Sequence, residues 1–225
     1  MRLAFCSVQI HPISVKLRFM NKFLACLFVL LSLPGYGATY QYQARVAGIA
    51  AGNLTVVVER GNGRYLVTGY ARSVGLWEVI DNWRADFSAT GTLVDGSVTL
   101  EKYELYERTN SKKQKVTVTP ETLQVVKNGK IRSPAAPLPG LDVLTALFVV
   151  ATCPDEQELH TGRHGYLLAK KNSEENGCSF LVTDEDEETF IAAVKYRRYF
   201  DMNVPGSIHF QGAVEGVLEL VKVSE

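Results

Sequence analysis

The stretch NLTVVVERGNGRYLVTGYA, residues 53–71, decides the fold class, because it holds two alternating segments joined by a glycine-rich turn. Asn53 to Arg60 and Arg64 to Ala71 each follow the period of two that is typical of a strand with one buried face. Gly61-Asn62-Gly63 between them supplies residues that tolerate the positive φ angles of a tight turn. The stretch therefore predicts an antiparallel hairpin.

The period of two continues on both sides of this hairpin. Tyr40 to Val46 alternates before it, and Trp83 to Thr90 and Ser97 to Arg108 alternate after it, with turn residues such as Asp95-Gly96 between them. Many short strands at regular intervals favour a mainly β fold, a curved antiparallel sheet that is barrel-like or sandwich-like. A βαβ arrangement would need several crossover helices, and the sequence offers one candidate.

That single predicted helix lies around residues 141–152. Asp142 is placed to cap the first turn, and Leu144, Leu147 and Phe148 form an apolar stripe at helical spacing. Since a mainly β chain must cover the apolar face of its sheet, we expect the helix to pack on one face or across an opening.

Residues 1–38 have the composition of a secretory signal region. Phe23 to Leu33 is an almost unbroken apolar run after Lys22, and Met20 is the predicted true start of translation. The run has roughly half of the ~20 residues that a membrane helix requires. The sequence thus predicts a periplasmic protein, exported with a cleaved signal peptide, in which residues 39–225 form a single β-rich domain without stable membrane insertion.

The charge balance bears on the class of partner. The chain has 24 Lys and Arg residues and 24 Asp and Glu residues, and the predicted signal region contains only basic ones. The predicted mature domain therefore has a net charge of about −4, which favours solubility. A nucleic-acid partner would favour a basic stripe instead, so we expect no nucleic acid.

Cys153 and Cys178 are the two cysteines of the predicted mature domain. In an oxidising compartment such a pair favours a disulfide. His160 and His164 lie between them, so a zinc site with four ligands is the alternative. Structural zinc sites usually bring their ligands as close pairs, whereas these cysteines are far apart in sequence. We therefore prefer a disulfide with two exposed loop histidines and no metal.

Other candidate sites have weaker patterns. Asp184 to Glu188 is an acidic run that could attract calcium, but it lacks the alternating ligands and the glycine of a calcium loop, which favours a solvated hairpin tip. Neither a Gly-x-Ser-x-Gly turn nor a His-Glu-x-x-His helix is present. Ser207 and His209 are close in sequence without an orienting acid. We predict no catalytic residue, no cofactor and no enzymatic activity.

Aromatic residues are frequent in the first half of the predicted domain. They are Tyr40, Tyr42, Tyr65, Trp77, Trp83, Phe87, Tyr103 and Tyr106. Ordinary core packing explains aromatic residues on half-buried strands, whereas a groove for an apolar chain is the sharper interpretation. On that interpretation we predict Trp77, Trp83 and Phe87 as ligand contacts.

The segment from Asp142 to Leu147 has the order aspartate, two apolar residues, threonine, alanine, leucine. It resembles the helix opening in an uncharacterised exported family, domain of unknown function 3108. Gly48 and Gly52 are similar to the family's glycine pair, and Asn203-Val204-Pro205 is similar to its late apolar-proline element. Val150 to Cys153 departs from the family, which often has an arginine just after the helix. The resemblance implies a periplasmic β-rich fold and no assigned activity.

Two functional hypotheses follow from these patterns. The first is a non-catalytic periplasmic or envelope protein that binds an apolar or polymeric ligand on the concave face of a curved sheet. The alternative is a structural or scaffolding protein that pairs with an envelope protein through an exposed strand edge. The first hypothesis requires a cavity, and the second requires an apolar, uncharged edge strand.

Overall fold

The computed structural model describes residues 36–132 and 135–225, and residues 36–225 form one compact unit. The predicted signal region lies outside the described residues, except that residues 36–38 begin the first strand. No helix in the described ranges is long and apolar enough to span a membrane.

Fifteen strands of the described chain form one sheet, and they fall into two arms. The first arm contains β1 (Tyr36–Val46), β2 (Ile49–Gly61), β3 (Arg64–Ser73), β4 (Arg84–Val94), β5 (Ser97–Arg108), β6 (Lys113–Val118), β7 (Leu123–Lys127) and β8 (Lys130–Ile131). The second arm contains β9 (Leu141–Asp142), β10 (Glu156–His160), β11 (Gly165–Glu174), β12 (Gly177–Asp184), β13 (Thr189–Tyr199), β14 (Met202–Gln211) and β15 (Gly216–Ser224).

Each arm is a meander, and β1 and β15 join the two arms in the middle of the sheet. The spatial order runs from β8 to β1, then from β15 to β9. Neighbouring strands are antiparallel except for β9 and β10, which pair in parallel through Leu141–Asp142 and Leu159–His160. The predicted mainly β, curved antiparallel fold is confirmed, with this one parallel pair as an exception. In the described ranges β8 and β9 do not pair, so the sheet is not closed.

The hairpin that decided the fold class is β2–β3. Its strands pair from Gly61 with Arg64 to Gly52 with Ser73 without a bulge. Asn62 and Gly63 have φ angles of 53° and 71°, values that the glycine-rich turn permits. The local sequence therefore sets this register as predicted.

In the described part of the chain, two short helices interrupt the strands. Helix α1 (Leu76–Ile80) connects β3 to β4, and a π-helix (Thr145–Val150) follows β9 after two helical residues. In the π-helix, the N–H of Ala151 donates to the carbonyl of Ala146 at 2.9 Å, a five-residue spacing that is rare in proteins. The predicted helix is confirmed, but it begins after residue 142 because residues 141 and 142 pair with β10.

Asp142 caps this helix as predicted. Its Oδ1 accepts hydrogen bonds from the N–H groups of Leu144 at 3.0 Å and Thr145 at 2.9 Å. Such caps satisfy donors at the first turn that have no partner within the helix. The carboxyl is fully buried, so it fixes where the helix leaves the sheet.

The π-helix packs on the inner face of the first arm and on β14 of the second arm, which adds Met202 and Val204 to the same core. The Phe148 ring is buried, and its centroid lies 5.9 Å from that of Tyr42 and 6.4 Å from that of Tyr40. Arg60 Nη2 donates to the carbonyls of Phe148 at 2.6 Å and Val149 at 2.8 Å. These bonds satisfy carbonyls at the helix end. The aromatic residues of the first arm and this helix therefore form the main core.

A disulfide joins Cys153 to Cys178, with 6.0 Å between their Cα atoms. It ties the chain just after the π-helix to the start of β12, and the predicted disulfide is confirmed. Around it lies a second, smaller apolar cluster that contains Phe180, Val182 and Ala192. The second arm therefore has a core of its own beside the helix.

Candidate functional site

An apolar cleft of about 600 Å³ lies on the inner face of the second arm. One wall is the helical segment, with Val143, Ala146 and Leu147. The strands that form the other wall contribute Leu159, Tyr166, Leu168, Phe180, Val182, Phe190, Ala192, Val194, Tyr196, Ile208 and Phe210. Ligand pockets typically have volumes of roughly 300–1,000 Å³ and mostly apolar linings.

The strand period explains why these side chains face the cleft. On β12 and β13, Phe180 pairs with Ala192 and Val182 pairs with Phe190, so all four point to the same face. Ala193, next to Ala192, points to the opposite face. The alternation that identified strands in the sequence thus also builds the apolar wall.

The π-helix separates the main core from the cleft. Phe148 packs among the tyrosines of the first arm, whereas Ala146 and Leu147 line the cleft. Ala146 is small, so the helix does not fill the space over β12 and β13. The helix therefore covers the first arm and the start of β14, and it leaves the rest of the inner face of the second arm open.

The cleft reaches solvent beside two turns. The first turn, in the β12–β13 hairpin, contributes Glu188 and Thr189. The β14–β15 turn contributes Ala213 and Val214. All four residues line the cleft and are exposed. The Val214 side chain is 60% exposed although it is apolar. We call this region, formed by the two turns, the cleft mouth.

Two tyrosines supply polar atoms within the apolar lining. Burial raises the pKa of Tyr196 to about 12, and its hydroxyl lies 3.5 Å from the carbonyl oxygen of Thr152. Burial, and then the nearby carboxylates of Asp184 and Glu185, raise the pKa of Tyr166. Both phenols therefore stay protonated at neutral pH; the single O–H of Tyr196 points to Thr152, so Tyr166 is the phenol that can donate to a ligand.

The three aromatic residues predicted as ligand contacts lie in the first arm, outside the lining of this cleft. Trp77 is on helix α1 and 38% exposed, and the indole N–H of Trp83 donates to Glu107 Oε1 at 3.3 Å. The Phe87 ring lies on Gly69 of the neighbouring strand, where an added Cβ would be 1.9 Å from the ring. Their role in binding stays a prediction.

The predicted exposed position of both histidines is wrong for His160. It lies in β10 and is 1% exposed, with its ring centroid 5.8 Å from that of Tyr103, because β10 pairs with β9 on one side and with β11 on the other. Burial lowers the pKa of His160, and no residue of the described ranges is a hydrogen-bond partner of its Nδ1. His164 is exposed in a loop as predicted.

The predicted metal alternatives have different outcomes in the structure. Cys153 and Cys178 are bonded to each other, so they do not offer the two thiolates that zinc would need. The run from Asp184 to Glu188 is the tip of the β12–β13 hairpin. Among the described residues, no three His, Cys, Asp or Glu side chains are placed to share a metal ion.

Ser207 and His209 both lie on β14, and no hydrogen bond joins their side chains in the described residues. His209 is exposed. Their neighbours on β13 are Lys195 and Ala193. The strand therefore presents them on the outer face, opposite to the cleft.

Sequence reasoning missed the cleft because its lining is less conspicuous than the tyrosines of the first arm. The alternating segments that became β12 and β13 were visible, and they contain Phe180, Phe190 and Tyr196. What was not visible is which arm the helix would cover. Whether the inner face of an arm is packed or open depends on where the helix lies, and the local sequence pattern does not show that position.

Comparison with solved structures finds chains with a similar fold, one of which belongs to a domain of unknown function. It is the crystal structure of a β-barrel-like protein of domain of unknown function 1849 from Brucella abortus. The TM-score is 0.45 at 11% sequence identity, and the match covers 85% of this chain and 98% of that chain. The sequence matches no family model and no curated protein, so no catalytic family is indicated.

Proposed function

We propose that this protein is a non-catalytic envelope protein, exported to the periplasm, that binds the apolar chain of a ligand in the cleft of the second arm. The observation that carries the proposal is the apolar cleft of about 600 Å³, which the chain's own side chains leave unfilled. Apolar surface that stays in contact with water costs free energy, so a fold retains such an open cleft at a cost in stability. A bound aliphatic chain would remove that surface from water.

Export is supported by two features of the chain. The signal-like sequence before residue 39 predicts it, and the disulfide between Cys153 and Cys178 suits an oxidising compartment. Fractionation of cells that express the full chain tests this part. We expect a processed protein in the periplasmic fraction with no free thiol under denaturing, non-reducing conditions.

Binding is tested with protein purified from that fraction. Native mass spectrometry should show a co-purified apolar molecule, or, after delipidation, binding of a fluorescent aliphatic probe. The variant Ala192→Phe places a ring in the cleft, and we expect it to weaken probe binding at least tenfold. Ala193→Phe adds the same ring to the outer face of the same strand and is the matched control. Equal binding by both variants would place the ligand elsewhere.

The predicted contact residues provide a further test of where the ligand binds. Trp77→Ala removes an exposed side chain of the first arm that is outside the cleft lining. If the cleft is the binding site, the affinity for the probe should change less than twofold. If Trp77→Ala loses probe binding and Ala192→Phe does not, the ligand binds at the aromatic residues of the first arm instead.

The alternative hypothesis, pairing through a strand edge, requires a long apolar edge. Among the described strands, β8 is one edge and has two residues, of which Lys130 is charged. The other edge is β9, also two residues long, and its Asp142 is fully buried. Short and charged edges discourage strand addition. We therefore favour ligand binding over strand pairing.

A further inference from the structure

The ionisable side chains that line the cleft are either acidic or uncharged at neutral pH. Asp184 and Glu188 are the acidic residues of its lining, and Tyr166 and Tyr196 are the phenols. No Lys, Arg or His belongs to the lining among the described residues. The cleft therefore offers negative charge and a phenol donor, and no cation to pair with an anionic head group.

Both carboxylates are held at the cleft mouth. Asp184 Oδ1 accepts hydrogen bonds from the N–H groups of Asp186 at 3.0 Å and Glu188 at 2.9 Å, which fixes the hairpin turn. Both of these bonds go to Oδ1, and no described residue donates a hydrogen bond to Oδ2. Glu188 is exposed at the start of the same opening. A ligand whose chain enters the cleft would leave its polar head beside these two groups.

Neighbouring charges do not reverse this sign. Glu185, Asp186 and Glu187 continue the acidic hairpin tip, and they are exposed. Arg163, a cation near Tyr166, is paired with Glu107 at 2.9 Å. The pKa of Tyr166 is raised by burial and then by Asp184 and Glu185, with a smaller opposing effect of Arg163. Asp184 and Glu188 themselves line the cleft, so the charge of the mouth is negative.

From this arrangement, and resting on the proposed function, we infer the class of ligand: an amphiphile with an aliphatic chain and a cationic or uncharged head group. Fatty acids and phosphate monoesters are disfavoured. An anionic head would meet two carboxylates at an apolar opening, where like charges repel more strongly than in bulk water. A cationic head would pair with them, and a hydroxyl head would accept a hydrogen bond from the Tyr166 phenol.

The inference is tested with three probes that share a twelve-carbon chain: dodecylamine, dodecanol and dodecanoate. Binding to the delipidated protein, produced from the full chain, is measured by displacement of the fluorescent probe at low salt and pH 7. We expect dodecylamine to bind about tenfold or more tightly than dodecanoate, with dodecanol between them. The difference should shrink as salt is added, because the mouth is open to solvent.

Charge reversal at the mouth isolates the cause. In Glu188→Lys we expect the preference for dodecylamine over dodecanoate to fall at least fivefold. Glu121→Lys makes the same charge change in the exposed β6–β7 turn, which is outside the cleft lining, and should leave the preference unchanged. An equal change in both variants would show that net charge alone sets the preference, and the inference would be wrong.

The outcomes separate the two proposals. If dodecanoate binds as well as or better than dodecylamine, and Ala192→Phe still weakens its binding, the cleft is the ligand site and the inferred head group is wrong. If none of the three probes binds, both the proposed function and the ligand class fail. If dodecylamine binds equally well to Ala192→Phe, it binds outside the cleft, and the inference fails again.

Discussion

The inner faces of the two arms are built from the same kind of alternating strands, yet one is filled and the other is open. In the first arm, Tyr40, Tyr42 and Tyr65 are buried against the π-helix. In the second arm, Phe190 and Tyr196 remain partly accessible around the cleft. The difference comes from the position of one short helix. An aromatic inner face therefore becomes core or binding site according to what covers it.

The same helix residues show how sharply the two arms are separated. Thr145 Oγ1 donates to the hydroxyl of Tyr65 at 3.1 Å in the first arm, while the adjacent Ala146 lines the cleft. We therefore expect substitutions on the first-arm side of the helix to lower stability more than binding, and substitutions on the cleft side to lower binding more than stability. Phe148→Ala and Phe190→Ala test this contrast, and two substitutions with smaller expected effects test the disulfide and the cap that flank the helix.

Phe148→Ala should destabilise the protein most. The ring is 2% exposed and packs against Tyr40 and Tyr42, so its removal leaves a cavity in the main core. We expect the free energy of unfolding to fall by about 3–5 kcal/mol in urea titrations. Phe190→Ala, on the cleft side, should cost about 1 kcal/mol, because that ring is already partly exposed.

Binding of the fluorescent probe should show the reverse order. Phe190→Ala is expected to weaken binding severalfold, since its ring lines the cleft. Phe148→Ala, measured under conditions where it is folded, should bind within about twofold of the original protein. Equal costs in stability for the two variants would remove the distinction between a filled arm and an open one.

Loss of the disulfide should have the next largest effect. Cys153 and Cys178 are 25 residues apart, and a loop of this length stabilises a fold by about 3 kcal/mol, mainly through the unfolded chain. The double variant Cys153→Ser, Cys178→Ser, or the reduced protein, should therefore unfold at lower urea concentration. Reductant should shift the original protein and leave the double variant unchanged. Two titratable thiols in the untreated protein would contradict the bond.

Asp142→Asn should have the smallest effect, and one that depends on pH. Burial raises the pKa of this carboxyl, so the folded protein holds its proton more tightly than the unfolded chain does. The contribution of Asp142 to the free energy of unfolding is then largest at low pH and is lost as pH rises through the raised pKa. Asparagine keeps the cap without titrating, and at pH 4 it should change stability by about 1 kcal/mol or less.

His160 changes stability in the opposite direction within the same pH range. Burial lowers its pKa, so its contribution falls as pH drops below about 6.5, its ordinary value. The measurement is therefore the difference between Asp142→Asn and the original protein, followed by urea unfolding from pH 4 to 7. That difference should rise with pH in favour of the variant. A flat difference would mean that Asp142 titrates normally.

Much of the fold was predictable because it rests on local patterns. The β2–β3 hairpin, the cap at Asp142 and the solvated tip from Asp184 to Glu188 follow from the spacing of side chains and from turn residues. The parallel pairing of β9 was not predictable, since two residues carry no period. His160 was misassigned for the same reason: β10 is short, and its burial comes from strands distant in sequence.

The site was less predictable than the fold. Trp77, Trp83 and Phe87 were chosen for aromatic density, which reports how much surface a strand must bury rather than where space remains. The cleft depends on the absence of a large residue at Ala146 and Ala192, and on where the π-helix ends. These small residues leave open space only where the curved sheet and the docked helix surround them, and local sequence patterns do not show where that is.

The seam between β1 and β15 also has a consequence for how the protein folds. Each arm can assemble from neighbouring hairpins, but the seam pairs Thr39 with Ser224 and Val46 with Gly216, residues separated by most of the chain. The hydroxyl of Tyr42 donates across a similar separation to the carbonyl of Pro205 at 2.9 Å. Contacts of such high sequence separation slow folding. The seam therefore cannot form until residues 216–224 are present, and we expect it to be among the last parts of the sheet to pair.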